Sequence, residues 1–326
     1  MPPKTESTPR HLLGLQGLNA ADLRDILART RALDESPPAP DALRGHVVAN
    51  LFFEDSTRTR TSFSVAAQRL GAGVVDLLGG ASSVNKGETL IDTARNVEAM
   101  GVSALVVRAK QSGAAALIAR HVHTPVINAG DGKHEHPTQG LLDIYTLAKQ
   151  FGRTDAFDLK GLTVAIVGDI ASSRVARSNI AGLKTLGAKV VCVGPPGLAP
   201  AGLATLGAKV VSKIEDAIQN ADAVMMLRIQ FERHGEAKPT GAPAVAEPSK
   251  QAAIASVREY REFYGLSAER AATMKPGAIV MHPGPINRGI ELDAAIADGP
   301  RSVIMPQVSH GVTVRMTVLL RAILGE

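Results

Sequence analysis

The stretch FFEDSTRTRTSF, residues 52–63, sets Ser56, Thr57, Arg58 and Thr59 directly behind an apolar run that ends at Phe53. A run of strand length followed by a helical pattern puts these residues at a helix N-terminus. Unpaired backbone N–H groups and the positive end of the helix dipole attract anions there. The hydroxyls add donors and Arg58 adds a planar fork of charge, which together make a phosphate cradle. A local reading competes: Ser56 or Thr57 caps the helix while the arginines pair with surface carboxylates. Arg60 lies about 200° around the helix from Arg58, so a structural role is expected for it.

Other polar groups also follow apolar runs. They are Arg108 after ALVV, His136-Pro137-Thr138-Gln139 after VINAGDGKHE, Arg174 after VAIVGD, Arg228 and Gln230 after AVMM, and His282-Pro283-Gly284-Pro285 after AIVM. Open α/β sheets bind ligands beyond the carboxyl ends of their strands. A single arginine there is ordinarily paired or solvated, and a single histidine merely hydrogen-bonded. Recurrence along the whole chain points instead to a small anionic substrate. There is no G-x-x-x-x-G-K-[ST], and VAIVGDIASSR lacks G-x-G-x-x-G, which disfavours a P-loop or dinucleotide site. His136 and His282 have no HExxH or Cys/His ligand spacing, so no metal and no cofactor are expected. The one cysteine, Cys192, sits in the apolar run VVCV, where a buried thiol is inert.

Positioning these groups requires strands. Continuous apolar runs at 46–53, 73–78, 104–109 and 125–129 alternate with helical patterns at 56–70, 88–100 and 112–121. The segment 137–151 reads as a long helix with Pro137 in its first turn. A helix with Asn19 and Asp22 at its start precedes them. A second series follows, with strands at 162–168, 188–193, 208–212, 223–228, 278–282 and 302–305. Continuous rather than alternating apolarity suits parallel strands buried on both faces. The fold class is therefore α/β: two successive domains, each a parallel sheet flanked by helices, spanning residues 1–150 and 151–308. GLKTLGAKVV and GLATLGAKVV, at 182–191 and 202–211, each read as helix end, glycine, strand. Residues 234–256, rich in Ala, Pro and Gly, read as a surface loop.

The chain of 326 residues is 45% hydrophobic and 21% charged, which suits two globular cores. A net charge of +5 permits nucleic acid, but aromatic residues are 3% and tryptophan is absent, leaving few stacking platforms. No apolar run reaches the roughly 18–20 residues of a membrane span. MPPKTESTPR has no apolar signal segment, so a cytoplasmic protein is expected.

STRTR (56–60), NKGET (85–89), HPTQ (136–139), LRIQFER (227–233) and HPGPINRG (282–289) stand in order along the chain. Together they resemble the aspartate/ornithine carbamoyltransferase family. LRIQ and HPGP resemble its aspartate branch, the catalytic chains of aspartate carbamoyltransferase. The Cys-Leu-Pro motif of the ornithine branch is absent near HPGP, which places ornithine carbamoyltransferase second, as the alternative within the family. A catalytically silent anion-binding or scaffolding chain is the reading from another class.

The resemblance implies transfer of the carbamoyl group of carbamoyl phosphate to the amine of L-aspartate. The products are N-carbamoyl-L-aspartate and phosphate, in pyrimidine (UMP) synthesis. It implies a carbamoyl-phosphate domain, an aspartate domain, and a C-terminal helix over 309–324 packing back on the first. By family match Ser56, Thr57, Arg58, Thr59 and Arg108 hold the phosphate. Thr59, Arg108 and His136 face the carbonyl oxygen, and Gln139 with the backbone at Gly284 and Pro285 holds the carbamoyl amide. Arg174, Arg228 and Gln230 take the aspartate carboxylates. Ser82 and Lys86 arrive from the neighbouring chain of a homotrimer. Glu54, with Arg174 and Arg233, draws the domains together. The resemblance is also compatible with a larger assembly containing a regulatory or dihydroorotase-like chain.

Overall fold

Runs of Val, Leu and Ala dictate two parallel sheets in the computed structural model, which describes residues 10–78, 88–229 and 256–325. The first sheet holds β1 (Val47–Phe52), β2 (Gly73–Leu78), β3 (Ala104–Ala109) and β4 (Val126–Asp131) in the order β2-β1-β3-β4, all parallel. Val48, Ala49, Leu51, Leu105, Val106 and Val107 are fully buried, as strands covered on both faces require. α1 (Ala20–Glu35) precedes the sheet, and the Asn19 side chain accepts the Asp22 N–H at 2.9 Å as its cap. Its stripe Leu23, Ile26 and Leu27 is buried. α2 (Thr57–Arg69) joins β1 to β2, and α3 (Leu90–Ala99) precedes β3. α4 (Ala114–Ala119) leads into β4, and α5 (Pro137–Gln150) leaves it. β1 leads to β2 on one side, and the chain then returns past β1 to β3 on the other. This reversal opens a crevice at the carboxyl ends of β1 and β3.

The compact unit built on this sheet runs to Phe157 and also takes in Arg177–Gly182 and the chain from Val308 onward. The last piece belongs to the C-terminal helix, Ile304–Ile323. Its Thr317 Oγ1 accepts from Thr30 at 3.1 Å, His310 Nδ1 meets Thr146 Oγ1 at 2.8 Å, and the Arg315 guanidinium lies 5.2 Å from the Phe63 ring centroid. The piece Arg177–Gly182 packs tightly on α5. A Cβ on Gly182 would stand 2.5 Å from Ile144, and one on Gly140 would stand 3.0 Å from the Ser178 side chain. A side chain at either position would have to displace these neighbours.

The second unit's sheet contains β5 (Thr163–Val167), β6 (Lys189–Val193), β7 (Lys209–Val211), β8 (Ala223–Met226) and β9 (Ile279–Met281). They are parallel in the order β7-β6-β5-β8-β9, with the reversal between β5 and β8. The helix α6 (Arg174–Thr185) leaves β5, and α7 (Ile214–Ile218) and α8 (Val257–Tyr264) follow. Then come α9 (Ala268–Thr273), α10 (Ala294–Ala297) and α11, the C-terminal helix already given. Ala165, Val167, Val193, Val224, Met226 and Val280 form its core with Ile214 and Ile218 of α7. In both near-repeats the glycine before the strand, Gly187 and Gly207, has φ of +92°. The sequence reading of 302–305 as a strand does not hold. Ser302 makes a single bridge to Val280, and Ile304 already begins α11, with Pro306 in its first turn where its missing N–H costs nothing. Among the described residues no helix is long and apolar enough to cross a membrane.

Candidate active site

In the first unit the candidate groups gather at the crevice-forming strand ends. Ser56 is the N-cap of α2, with extended backbone, yet its side chain makes no capping bond, so the capping reading of Ser56 does not describe this helix. Thr57 and Arg58 form its exposed first turn, while Thr59 turns inward and is 8% exposed. Arg60 points elsewhere, 3.8 Å from Asp76 on β2, the structural role its position on the helix predicts. Arg108 is the residue paired with Phe52 across β1 and β3. Its guanidinium donates to the Ala129 carbonyl at 3.2 Å and to Glu54 Oε1 at 3.3 Å, and both side chains of this ion pair are largely buried. Glu54, matched by resemblance to Arg174 and Arg233, is thus bonded in this structure to Arg108, and it braces that arginine at the mouth of the sheet.

The loop between β4 and α5 carries His136 and is built from buried acids and amides. Asn128 Nδ2 donates to the Leu13 carbonyl at 2.8 Å and to Asp131 Oδ1 at 2.9 Å, and its Oδ1 accepts the Gly130 N–H at 2.8 Å. Asp131 accepts the backbone N–H groups of Gly113 and Glu135 at 2.7 and 3.1 Å. Glu135 is 2% exposed, and its carboxylate accepts from Leu15 N–H at 2.7 Å, Gln16 N–H at 3.0 Å and the Ser178 hydroxyl at 2.7 Å. Ser178 Oγ in turn accepts the backbone N–H of His136 at 2.9 Å. A Cβ at Gly14 would stand 2.4 Å from Glu135 Oε1, so the carboxylate fits its seat without slack. His136 is the N-cap residue of α5 and is 4% exposed. Gln139, one turn along, donates through Nε2 to Asp143 Oδ1 at 2.9 Å.

In the second unit the reversal between β5 and β8 is flanked by two arginines. Arg174 opens α6 and is 7% exposed; Arg228 stands just past β8, after Leu227, and is half-buried. Asp169, beyond β5, accepts the Ser172 N–H at 3.2 Å and holds the turn that leads to Arg174. Beyond β9, the His282 backbone N–H donates to Gln307 Oε1 at 3.0 Å, and His282 Nδ1 accepts the Gly284 N–H at 2.7 Å. The imidazole proton is therefore on Nε2, which faces Glu291 Oε1 at 3.3 Å. Glu291 also accepts the Asn287 N–H at 2.6 Å, and Asn287 Nδ2 reaches the Ile229 carbonyl at 3.3 Å, tying this loop to the segment that carries Arg228. Gly284 and Pro285 lie in that loop, joined by a cis peptide.

Ser82, Lys86, Gln230 and Arg233 lie outside the described residues. Asn128, Asp131, Glu135, Ser178, Asp143 and Glu291 were not singled out by sequence. The signal for one of them was present: Asn128 interrupts the apolar start of VINAGDGKHE.

Two family models match the chain. One, described as the carbamoyl-P binding domain of aspartate/ornithine carbamoyltransferase, covers residues 10–149; the other, its Asp/Orn binding domain, covers 160–322. The aspartate carbamoyltransferase catalytic subunit of Myxococcus xanthus is 54% identical over 311 residues, 95% of this chain and 98% of that protein. That of Gluconobacter oxydans is 51% identical over 324 residues, 98% and 97% respectively. Among solved structures, aspartate transcarbamoylase from Trypanosoma cruzi with N-(phosphonacetyl)-L-aspartic acid superposes with TM-score 0.80 at 30% identity, covering 98% of this chain and 97% of that one. Ornithine carbamoyltransferase from Thermus thermophilus superposes with TM-score 0.81 at 26% identity, covering 97% and 100%. The backbone alone does not separate the aspartate from the ornithine enzyme; the sequence does.

Proposed function

The chain belongs to the aspartate/ornithine carbamoyltransferase family, and from that premise we propose that it transfers the carbamoyl group of carbamoyl phosphate to the α-amine of L-aspartate. N-carbamoyl-L-aspartate and phosphate leave, a step of de novo pyrimidine synthesis. The reading rests on one observation: each sheet carries arginines at or beyond the carboxyl ends of the two strands flanking its reversal. They are Arg58 and Arg108 in the first, and Arg174 and Arg228 in the second.

The chemistry asks for such an arrangement. The aspartate amine attacks the carbamoyl carbon, the carbonyl oxygen gains charge in a tetrahedral transition state, and the phosphate leaves with charge. Preorganised donors and anchored substrates supply most of such catalysis. Ser56, Thr57, Arg58 and Thr59 hold the phosphate together with Arg108. Thr59, Arg108 and His136 stabilise the carbonyl oxygen. Gln139 and the backbone at Gly284 and Pro285 hold the amide. Arg174, Arg228, Gln230 and Lys86 take the two carboxylates, for which forked guanidiniums suit bidentate pairing. Two arginines also disfavour ornithine, whose side chain carries a cation. Ser82 and Lys86 come from the next chain of a cytoplasmic homotrimer, and Glu54 and Arg233 serve domain closure.

The test is phosphate release from carbamoyl phosphate with aspartate, with ornithine, and with neither. Release that depends on aspartate and is absent with ornithine is the expected result. Transfer to ornithine with aspartate inert overturns the substrate assignment, and no transfer to either overturns the enzyme reading.

A further inference from the structure

Carbamoyl phosphate and acetyl phosphate differ only in NH₂ against CH₃. A site that tells them apart must offer the NH₂ an acceptor and nothing but an acceptor. Gln139 is the side chain assigned to this amide above, and the present inference rests on that reading. A glutamine amide has a donor end and an acceptor end of nearly equal shape, and only its surroundings decide which end faces the ligand.

Here the surroundings decide. Gln139 Nε2 donates to Asp143 Oδ1 at 2.9 Å, one helical turn away on α5. A carboxylate only accepts, so the turned-over amide would set Oε1 against a carboxylate oxygen and its NH₂ against the ligand NH₂, two repulsions at once. The carboxylate itself is held still. Asn179 Nδ2 donates to its other oxygen at 2.7 Å, and Asp143 is 1% exposed. The wholly buried cation Arg315 supplies the opposite charge. Its guanidinium covers the Phe63 ring and donates to the Gly311 carbonyl at 2.8 Å, and against the burial that disfavours its charge the Asp143 carboxylate favours it. Buried carboxylates persist when hydrogen-bonded in this way, with an opposite charge to favour them.

We propose that Asp143 is a specificity-determining positioning residue: it locks Gln139 with Oε1 toward the carbamoyl group and so lets the site select NH₂ over CH₃. The isosteric Asp143→Asn can donate to Gln139 Oε1, which frees the amide to turn over. The quantity to measure is the affinity for carbamoyl phosphate relative to acetyl phosphate as a competitive inhibitor, with inorganic phosphate as a probe of the cradle alone. In Asp143→Asn the ratio falls about three- to tenfold, the worth of one net hydrogen bond, while phosphate affinity holds. Because this change leaves Arg315 without its counter-charge, the double variant Asp143→Asn with Arg315→Met is measured alongside, and the folded one of the two carries the result. A folded variant that keeps the native ratio overturns the proposal. Gln139→Leu separates the levels. If it lowers the ratio while Asp143→Asn does not, the locking role of Asp143 falls and the Gln139 assignment stands. If it leaves the ratio intact, both fall.

Discussion

Ser178→Ala tests how His136 is held. The substitution removes one oxygen that does two things: it accepts the His136 backbone N–H at 2.9 Å and donates to Glu135 at 2.7 Å. Glu135 keeps the Leu15 and Gln16 N–H groups, so its carboxylate remains bonded. The His136 N–H is the group that loses. His136 is the N-cap residue of α5, 4% exposed, with Ser178 fully buried beside it, so solvent cannot take the place of the hydroxyl. An orphaned buried N–H costs about 1–3 kcal/mol, with about 2 a fair central figure here. For a domain of this size each kcal/mol lowers Tm by about 2–4 °C, which gives a drop of about 4–8 °C.

The functional consequence is separable from the stability cost. The proposed phosphate cradle, Ser56 to Thr59 of α2 with Arg108 of β3, makes no bond to Ser178, so the affinity for inorganic phosphate stays near native. With the proposed role of His136 at the carbonyl oxygen, its imidazole on a loosened backbone loses a fixed aim there. Preorganised donors of this kind contribute about 10²–10³ in rate, and a donor that is misaimed rather than deleted forfeits part of it, about tenfold. Differential scanning calorimetry gives the first number, and steady-state kinetics with phosphate inhibition give the other two. Native Tm together with native turnover would refute the claim that Ser178 carries this load. Equal losses of turnover and phosphate affinity would point instead to general unfolding.

Arg58→Ala, at an exposed position, should leave Tm unchanged while weakening carbamoyl phosphate binding and lowering kcat about 10²-fold or more, read by steady-state kinetics; near-native kinetics would remove it from the cradle. Arg228→Ala should raise the aspartate KM far more than it weakens carbamoyl phosphate binding, and the opposite pattern in initial-rate kinetics would reassign it. Burial holds His310 and His11 below the ordinary histidine value of 6.5, so each takes up its proton at a lower pH folded than unfolded. Stability should therefore be full above about pH 6.5 and fall as the pH drops below it, and in denaturant titrations the fall should shrink in His310→Gln. Mixing inactive Lys86→Ala and His136→Ala chains should restore about one quarter of native activity if each site of a trimer takes the two residues from different chains; proven exchange without recovery would refute the shared site.

The legibility of this protein in its sequence follows from the range of the forces involved. The strands were readable because burial on both faces leaves a continuous apolar run, visible in any short window. The start of α2 at Ser56 and Thr57 was readable because a helix N-terminus and its hydroxyls are neighbours in sequence. Glu135 was not readable, because its partners lie 120, 119 and 43 residues away, and a glutamate beside a histidine in a polar loop looks solvated. Ser178 looked like any helical serine for the same reason. The Gln139–Asp143 pair has the i,i+4 spacing of a helix contact and was available to a local reading. Its meaning was not, since that depends on Arg315 far along the chain. The segment 302–305 failed in the other direction: Val and Ile favour strands locally, but only Ser302 finds a bridge there.

The buried acids also explain how loops at the mouth of a sheet can be rigid. Such a loop cannot pack apolar side chains inward without filling the space a ligand needs. It must be held from behind by polar bonds, and buried polar bonds are strong only when complete. The two units reach the same solution independently. Glu135 gathers two backbone N–H groups and a hydroxyl behind His136, while Glu291 gathers the Asn287 N–H and the His282 imidazole behind Gly284 and Pro285. Glu135 collects donors from separate segments and Glu291 joins two donors of its own loop, and a carboxylate with several acceptor positions does this better than a neutral side chain of the same size. The cost is fragility. Removing either acid strands several donors at once, so these positions should tolerate substitution less than the exposed arginine of the cradle, even though they face no substrate themselves.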